Sequence, residues 1–416
     1  MTTAAAHLVE RVYREHRTRM LAALIHAVGD FELAEDALQD ACTAALRQWD
    51  DAAPENPVAW LLTVARNRAI DRLRRARVGQ QKLAELGGQR LDTVATVTEY
   101  GEERLVSVGD ERLSLIFACC HPALAQEARV ALTLQVVAGL TAGQIARTFL
   151  ISEATLAQRL VRAKRKIRDA GISLQVPADH LLPERLAGVL AVVYLVFTQG
   201  YTAGLDEPEY HTLRQEAIRL GKLIATLMPD EPEALGLVVL MLLHDARTAA
   251  RHTDAGDVVL LEDQDRSRWN RGQIVEAVGL LDRALRQGMA GPYQLQAAIA
   301  MLHAQAPSIE ETDWPRIAAL YAQLLAVAPS PVVALNHAVA VAMATTAGDG
   351  LALIDRIDGL ERYHLFHAAR ADLLRRLGRV AEAAAAYRKA HELAVNPADR
   401  RVLAGRLLAL DAPEPS

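Results

Sequence analysis

Aromatic side chains make up only 4% of the 416 residues, and the chain has just three cysteines. With alternating runs of Val, Ile and Thr also missing, the vocabulary of a β-sheet is absent. Ala and Leu fill the chain instead, so the fold class expected is all-α. Three cysteines exclude a disulfide framework and fit a reducing compartment. No run of about twenty apolar residues is present, so no membrane span is expected. The amino terminus, MTTAAAHLVERVYREHR, lacks the charged-then-apolar layout of a secretion signal. A cytoplasmic location is expected. Catalytic vocabulary is missing as well: no general-acid pair, nucleophile triad or phosphate loop stands out, so no enzyme and no cofactor is expected. His244, His252, His303 and His364 are scattered on helices and read as packed or exposed rather than catalytic. Cys119-Cys120-His121 lacks the two-to-four-residue spacer of a zinc site and reads as small thiols buried in a helix.

Charge of one sign is also in short supply, since the formal net charge is −5. Its distribution is uneven. Residues 1–172 carry 23 Lys and Arg against 21 Asp and Glu, whereas the remainder carries 23 against 30. The amino-terminal positive charge gathers in two helical stretches, and the acidic remainder would be repelled by phosphate.

The first basic stretch spans 57–77. Asn56 serves as cap and Pro57 as first helical residue. The apolar stripe expected is Val58, Leu62, Ala65, Ala69 and Leu73. The far side presents Arg66, Asn67, Asp71, Arg74 and Arg75. From Arg66 to Arg77 there are six arginines and a single acid, where a merely solvated face would mix signs. Upstream, Asp30 caps a helix with the stripe Leu33, Ala34, Ala37, Leu38, Ala41 and Ala45. Its other face shows Glu35, Asp36, Gln39 and Asp40, and no base lies between Glu32 and Ala45.

The second basic stretch belongs to a helix-turn-helix at 141–169. Thr141 and Gln144 form a capping box, and Ser152 caps the second helix. Leu156, Leu160, Ala163 and Ile167 are the expected buried stripe, which leaves Thr155, Gln158, Arg159, Arg162 and Lys166 outward. Six of residues 159–168 are basic. Leu150 stands in the turn where glycine is common.

Taken in order, residues 33–49, 56–77 and 140–168 resemble regions 2.2, 2.3–2.4 and 4.2 of an extracytoplasmic-function sigma factor of the sigma-70 family. The resemblance covers roughly residues 8–172. It implies core RNA polymerase and promoter DNA as partners. Asp36, Gln39 and Asp40 would dock on the polymerase clamp. Arg66, Asn67, Asp71, Arg74 and Arg75 would read the −10 element, and Thr155, Gln158, Arg159, Arg162 and Lys166 the −35 element. The loop 50–56 would hold a flipped base. Trp60, the one aromatic in its helix, reads as core rather than as a wedge.

The implied domains are a region 2 domain (1–77), a linker (78–104), a region 4 helix-turn-helix domain (105–172), a short linker (173–183) and a carboxy-terminal regulatory domain (184–411). In the last, three amphipathic helices are closed by Pro229, Pro329 and Pro397, spaced 100 and 68 residues apart, near multiples of 34. That period suggests tetratricopeptide-like helical repeats, against a generic bundle as the alternative. Gly378, Ala383, Tyr387 and Ala390 fit the clearest unit. Gly200, Tyr201, Thr202, Tyr210 and His211 form a polar-tipped group. Glu262, Asp263, Gln264, Asp265, Arg266 and Trp269 form another, read either as a solvated insertion or as a docking surface. The resemblance implies that this tail sets activity, and an intramolecular contact with the first two domains is allowed by the reading. A one-component helix-turn-helix regulator with a repeat-type sensor is the competing function.

Overall fold

The computed structural model describes residues 3–49, 53–87, 108–149, 151–202, 208–253, 257–288 and 290–411. Among these residues there are α-helices and short 3₁₀ and π turns but no β-strand, as the composition requires. The chain divides into two compact units, Met1–Val196 and Phe197–Ser416.

The first unit begins with α1 (Thr3–Val28), α2 (Phe31–Gln48) and α3 (Pro57–Gly87) packed on one another. Gly29, at φ +72°, ends α1 in the left-handed region and hands over to Asp30. The Asp30 carboxylate then accepts the Leu33 backbone N–H at 2.9 Å, starting α2 as its cap. Ala34, Ala37, Ala41 and Ala45 of α2 are buried, and Met20, Leu21, Leu24 and Ile25 of α1 fill the space such small residues leave. Asn56 Oδ1 accepts from Ala59 N at 3.1 Å and opens α3.

The core line of α3 differs from the expected one. Leu61, Ala65 and Ala69 are fully buried, whereas Val58, Leu62 and Leu73 are half-buried. The reason is that α3 packs against both α1 and α2, so the line facing both neighbours carries the deepest residues. Helix α3 continues to Gly87, ten residues beyond the expected start of the connector.

Next come α4 (Val108–Cys119), α5 (Gln126–Leu132) running into a π turn at Thr133–Val137, α6 (Ala142–Thr148) and α7 (Glu153–Asp169). Cys119 and Cys120 turn into this core, and the Cys120 Sγ lies 3.5 Å from Thr133 Oγ1. Burial pushes the Cys120 and Cys42 thiols up to about 11 and the Cys119 thiol well above its ordinary value. A thiol at that value is almost entirely protonated at pH 8, and the thiolate is the nucleophile. Native protein at pH 8 is therefore expected to resist iodoacetamide at all three positions, and denatured protein to take up three groups by mass spectrometry.

Helix α8 (Leu182–Thr202) leads out of the first unit. Its stretch 182–201, with mean hydropathy 1.3, is long and apolar enough to cross a membrane, contrary to the expectation that no such run exists. Glu184 and Arg185 interrupt its start, and Leu186, Val189, Leu190, Val192, Val193 and Val196 are buried within the protein. The Arg185 guanidinium donates to the Phe117 carbonyl at 3.0 Å, fastening the start of α8 to α4.

The second unit is a succession of antiparallel helices: α9 (Pro208–Leu227), α10 (Pro232–Asp245), α11 (Arg271–Leu285), α12 (Pro292–Gln305), α13 (Trp314–Val327), α14 (Pro331–Ala344), α15 (Ala347–Ile354), α16 (His364–Arg376), α17 (Val380–Leu393) and α18 (Pro397–Asp411). Most helices pack on their neighbours in sequence, although α12 packs chiefly on α10 and α18 reaches back to the stretch before α11. Pro229 and Pro329 stand just after α9 and α13, whereas Pro397 is the first residue of α18. In the α16–α17 hairpin Gly378 makes the turn at φ +72°, and Ala383, Tyr387 and Ala390 are buried.

Two devices set the spacing of α10 and α12. Gly236 meets Gln294 so closely that a Cβ would lie 2.7 Å from its backbone nitrogen. The Glu233 carboxylate accepts from the Tyr293 and Gln294 backbone N–H groups at 2.9 and 3.0 Å, capping α12 from the neighbouring helix.

Candidate nucleic-acid interface

The helix-turn-helix forms with the expected caps. Gln144 N donates to Thr141 Oγ1 at 3.2 Å while Thr141 N donates to Gln144 Oε1 at 2.9 Å, which is the reciprocal box. Ser152 Oγ accepts from Thr155 N at 3.1 Å. Leu156, Leu160, Ala163 and Ile167 are buried. On the opposite side Thr155, Gln158, Arg162 and Lys166 are exposed and Arg159 is half-buried. A helix with such a polar, cationic outer face is shaped for the major groove, where amide side chains meet base edges and cations meet phosphate. Leu150, in the turn, lies outside the described residues, as do 88–107 of the connector and 50–52 of the loop before α3.

On α3, Asn67, Asp71, Arg74 and Arg75 are exposed and Arg66 is half-buried. Arg75 Nε donates to the Asp71 carbonyl at 3.2 Å, which lays that guanidinium along the helix surface. Trp60 packs edge-on against the buried Trp49, with ring centroids 5.4 Å apart. It belongs to the packing of this corner.

The acidic face of α2 is less bare than its own sequence suggests. Asp36 and Gln39 are exposed and Asp40 is half-buried. Arg72 reaches across from α3 and donates to Asp36 Oδ2 at 3.0 Å and to Asp40 Oδ2 at 2.6 Å. Arg68 donates to the Asp40 carbonyl at 2.9 Å. Two of the six arginines between 66 and 77 are thereby committed to α2 and are not available to a phosphate. The pairing is long-range, so no inspection of either helix alone reveals it.

A second departure concerns α7. Lys164, one of its six basic residues, points inward with 9% of its side chain exposed and donates to Glu35 Oε2 at 2.7 Å. Its register explains the placement: 164 follows Leu160 by four and precedes Ile167 by three, on the apolar stripe itself. Arg168 faces Asp30 at 3.5 Å and Glu32 at 4.0 Å. From α1, Arg17 donates to the Gln135 carbonyl at 2.9 Å and Thr18 to the Val137 carbonyl at 3.0 Å. The helix-turn-helix half is thus held against the α1–α3 half. A shallow crevice between them is lined by Gly29, Asp30, Phe31, Glu32, Lys164, Ile167 and Arg168.

In the second unit the stretch 257–270 is not a solvated insertion. Gln264 and Trp269 are buried, and α18 returns to it through Arg401 to Asp257 and through Arg406 Nη2 to Glu262 Oε1 at 2.7 Å. The group at 200–211 divides: Tyr201 is half-buried and His211 exposed, while the side chains of Thr202 and Tyr210 lie outside the description. Arg214, Arg247 and Arg251, which no motif singles out, converge near Tyr201 and His244. Arg247 and Arg251 follow the apolar helix α10 directly, which is their one signal in the sequence.

Residues 12–78 match the model of sigma-70 region 2 and residues 114–167 that of sigma-70 region 4. Residues 185–285 match a family of unknown function, DUF6596. The chain is 42% identical over 392 residues to the uncharacterized protein R00370 of Rhizobium meliloti, covering 92% of this chain and 91% of that one. It is 29% identical over 183 residues to a probable ECF RNA polymerase sigma factor, SigI, of Mycobacterium tuberculosis, covering 42% of this chain and 60% of the relative. It is 27% identical over 159 residues to the ECF RNA polymerase sigma factor SigK of Mycobacterium bovis, covering 38% and 82%.

Proposed function

This chain belongs to the extracytoplasmic-function sigma factors of the sigma-70 family, and from that premise we propose how its surfaces divide the work. It binds core RNA polymerase and promoter DNA. The docking face for core is Asp36, Gln39 and Asp40 on α2. The −10 reader is α3, with Asn67 placed for a base edge and Arg66, Asp71, Arg74 and Arg75 around it. The −35 reader is α7, through Thr155, Gln158, Arg159, Arg162 and Lys166. The protein works by binding, positioning and holding strands, with no bond made or broken by its own residues. A cytoplasmic place of action goes with such a partner.

The observation that carries the division is that one chain exposes two separate helical faces rich in cations and amides, beside an acidic face on α2. Arginine and lysine contribute phosphate contacts that position the duplex, while Asn67 and Gln158 discriminate bases. The carboxy-terminal unit is the regulatory part, built as a tetratricopeptide-like array whose successive helical hairpins, such as α13–α14 and α16–α17, suit a binding scaffold.

Run-off transcription by purified core polymerase tests the assignment. Wild-type protein is expected to support initiation from a two-element promoter. Lys166→Ala should weaken binding to all sequences alike and reduce the salt slope by about one, whereas Gln158→Ala should cost about 1–3 kcal/mol and relax one −35 position. Equal effects on every promoter from both variants would remove α7 as the reader. For the tail, truncation belongs after residue 202 rather than at 183, because the Arg185–Phe117 bond ties α8 into the first unit. Output and signal response identical to full length would exclude a regulatory tail.

A further inference from the structure

Around the end of α10 the second unit gathers guanidinium groups that the promoter-reading function does not use. Arg247 and Arg251 flank the 3₁₀ turn Thr248–Ala250, and Arg266 opens the 3₁₀ turn Arg266–Arg268. The Arg247 and Arg266 guanidinium carbons lie 5.5 and 4.9 Å from the centroid of the same indole, Trp269. Arg251 stacks 3.7 Å over the Tyr201 ring. These aromatic faces fix the planes of the three cations without neutralising them.

Among the described residues no carboxylate lies within 4 Å of Arg247, Arg251 or Arg266. Asp245, the acid at the end of α10, is already used by Arg214 Nε at 2.9 Å, Gln215 Nε2 at 3.0 Å and Gln273 Nε2 at 2.8 Å. Asp399 and Glu310 act on Arg251 and Arg266 only from beyond ion-pairing distance. Among the described residues the acceptors of the three guanidinia are neutral: the Gln264 side chain for Arg247, the Tyr201 carbonyl for Arg251, and the His303 and Ala306 carbonyls for Arg266. A guanidinium carries five N–H donors, so most are left over.

Further unsatisfied donors surround them. Trp269 is 2% exposed and its Nε1–H has no partner, and Arg266 Nη2 is buried without one. The Nδ1 atoms of His244 and His303 also lack a partner, each a donor in one neutral tautomer and an acceptor in the other. Burial, with the nearby arginines adding, drives His244 down to about 3 and His303 to about 4, so both rings are neutral at physiological pH. Burying like charges side by side with open donors is unfavourable unless something negative completes the set. The three arginines remain half-buried, so each still reaches solvent.

We propose that Arg247, Arg251 and Arg266 form a binding site for a small anion bearing a phosphate or carboxylate group. Planar guanidinia held by ring stacking suit the bidentate geometry of either group. The site lies within the second unit and does not depend on how α3 and α7 divide promoter reading. Loop 257–270 carries Arg266 and is tied to α18, so occupancy would stiffen the contact between the start and the end of this unit.

Isothermal titration of the full chain with inorganic phosphate, and separately with succinate, tests the site, with sodium chloride matched for ionic strength. Saturable one-to-one binding of at least one anion is expected, together with a rise in melting temperature that follows its concentration. Binding of phosphate alone identifies a phosphorylated ligand, and binding of succinate alone an organic acid. Arg251→Lys keeps the charge but loses the fork, and should weaken binding at least tenfold while helix content is unchanged. Arg247→Gln should do the same, and either variant suffices if the other fails to fold. Absence of saturable binding by both anions, or full binding by folded variants, overturns the proposal. Variants that lose promoter affinity but keep anion binding would also overturn it.

Discussion

Lys164→Glu is expected to drive the two halves of the first unit apart and to tighten binding to core polymerase. The wild-type ammonium sits 2.7 Å from Glu35, with side-chain exposures of 9% and 26%. Removing one partner of a buried pair costs about 3–5 kcal/mol, and reversal adds repulsion. Because Glu35 keeps some solvent, a smaller cost of about 2 kcal/mol is the safer expectation, which still shifts the closed-to-open ratio roughly thirtyfold.

If α3 and α7 read the two promoter elements as proposed, size requires opening. A compact unit of 196 residues has a radius of gyration of about 16 Å and measures about 40 Å across. Elements named −10 and −35 lie about 25 base pairs apart, roughly 85 Å at 3.4 Å per step. On the proposed assignment of α3 and α7 to those elements, their faces cannot engage both while Lys164 holds Glu35, which would make the paired state a closed, unproductive one. Glu35 also adjoins Asp36 and Asp40, so core binding and closure compete for one helix. Spin labels at the exposed positions Gln39→Cys and Gln158→Cys give the distance directly, since the native thiols are buried or suppressed. A longer label distance and about tenfold or greater gain in core affinity are expected for Lys164→Glu. The exchange Glu35→Lys with Lys164→Glu should restore closure. Unchanged distance and affinity in the single variant would dismiss the closed state.

How much of this was legible in the chain depends on the range of the interaction concerned. Capping is local, so Asp30, Asn56, Thr141, Gln144 and Ser152 were readable, and each makes the bond its position implies. The stripe of α7 followed from its period. That of α3 was displaced because a helix touching two neighbours has a buried line that its own pattern does not specify. Charge was the least legible property. Lys164 belongs to the basic run at 159–168, yet its register places it between Leu160 and Ile167 and turns it inward. Arg72 was counted towards DNA although its partners stand 32 and 36 positions earlier. The apolar run of α8 escaped notice because Glu184 and Arg185 sit at its start. The arginines around Trp269 and Tyr201 had no motif to announce them, since two separate turns and the end of α8 assemble the group.

The same pairing gives the second large effect, on Asp36 and Asp40. Reversing both, as Asp36→Arg with Asp40→Arg, is expected to abolish holoenzyme formation, a loss of at least a hundredfold in core affinity. Two mechanisms act in one direction. The acidic docking face becomes basic, and like charges across an interface cost several kcal/mol. Arg72 also loses both carboxylates and faces two new cations, which pushes α3 away from α2. That second effect would itself damage the −10 reader, so the reversal alone cannot separate docking from integrity. Asp36→Asn with Asp40→Asn does separate them. The amides still accept from Arg72, and the exposed pairs are worth only about 0–1 kcal/mol each, so melting should scarcely move. Core affinity should nevertheless fall about tenfold or more if a basic surface of polymerase reads those charges. Arg72→Gln supplies the opposite sign: both acids are released, and core affinity should hold or rise. Were the asparagine variant to bind core as wild type does, the α2 face would be a clasp for Arg72 and the docking surface would have to lie elsewhere.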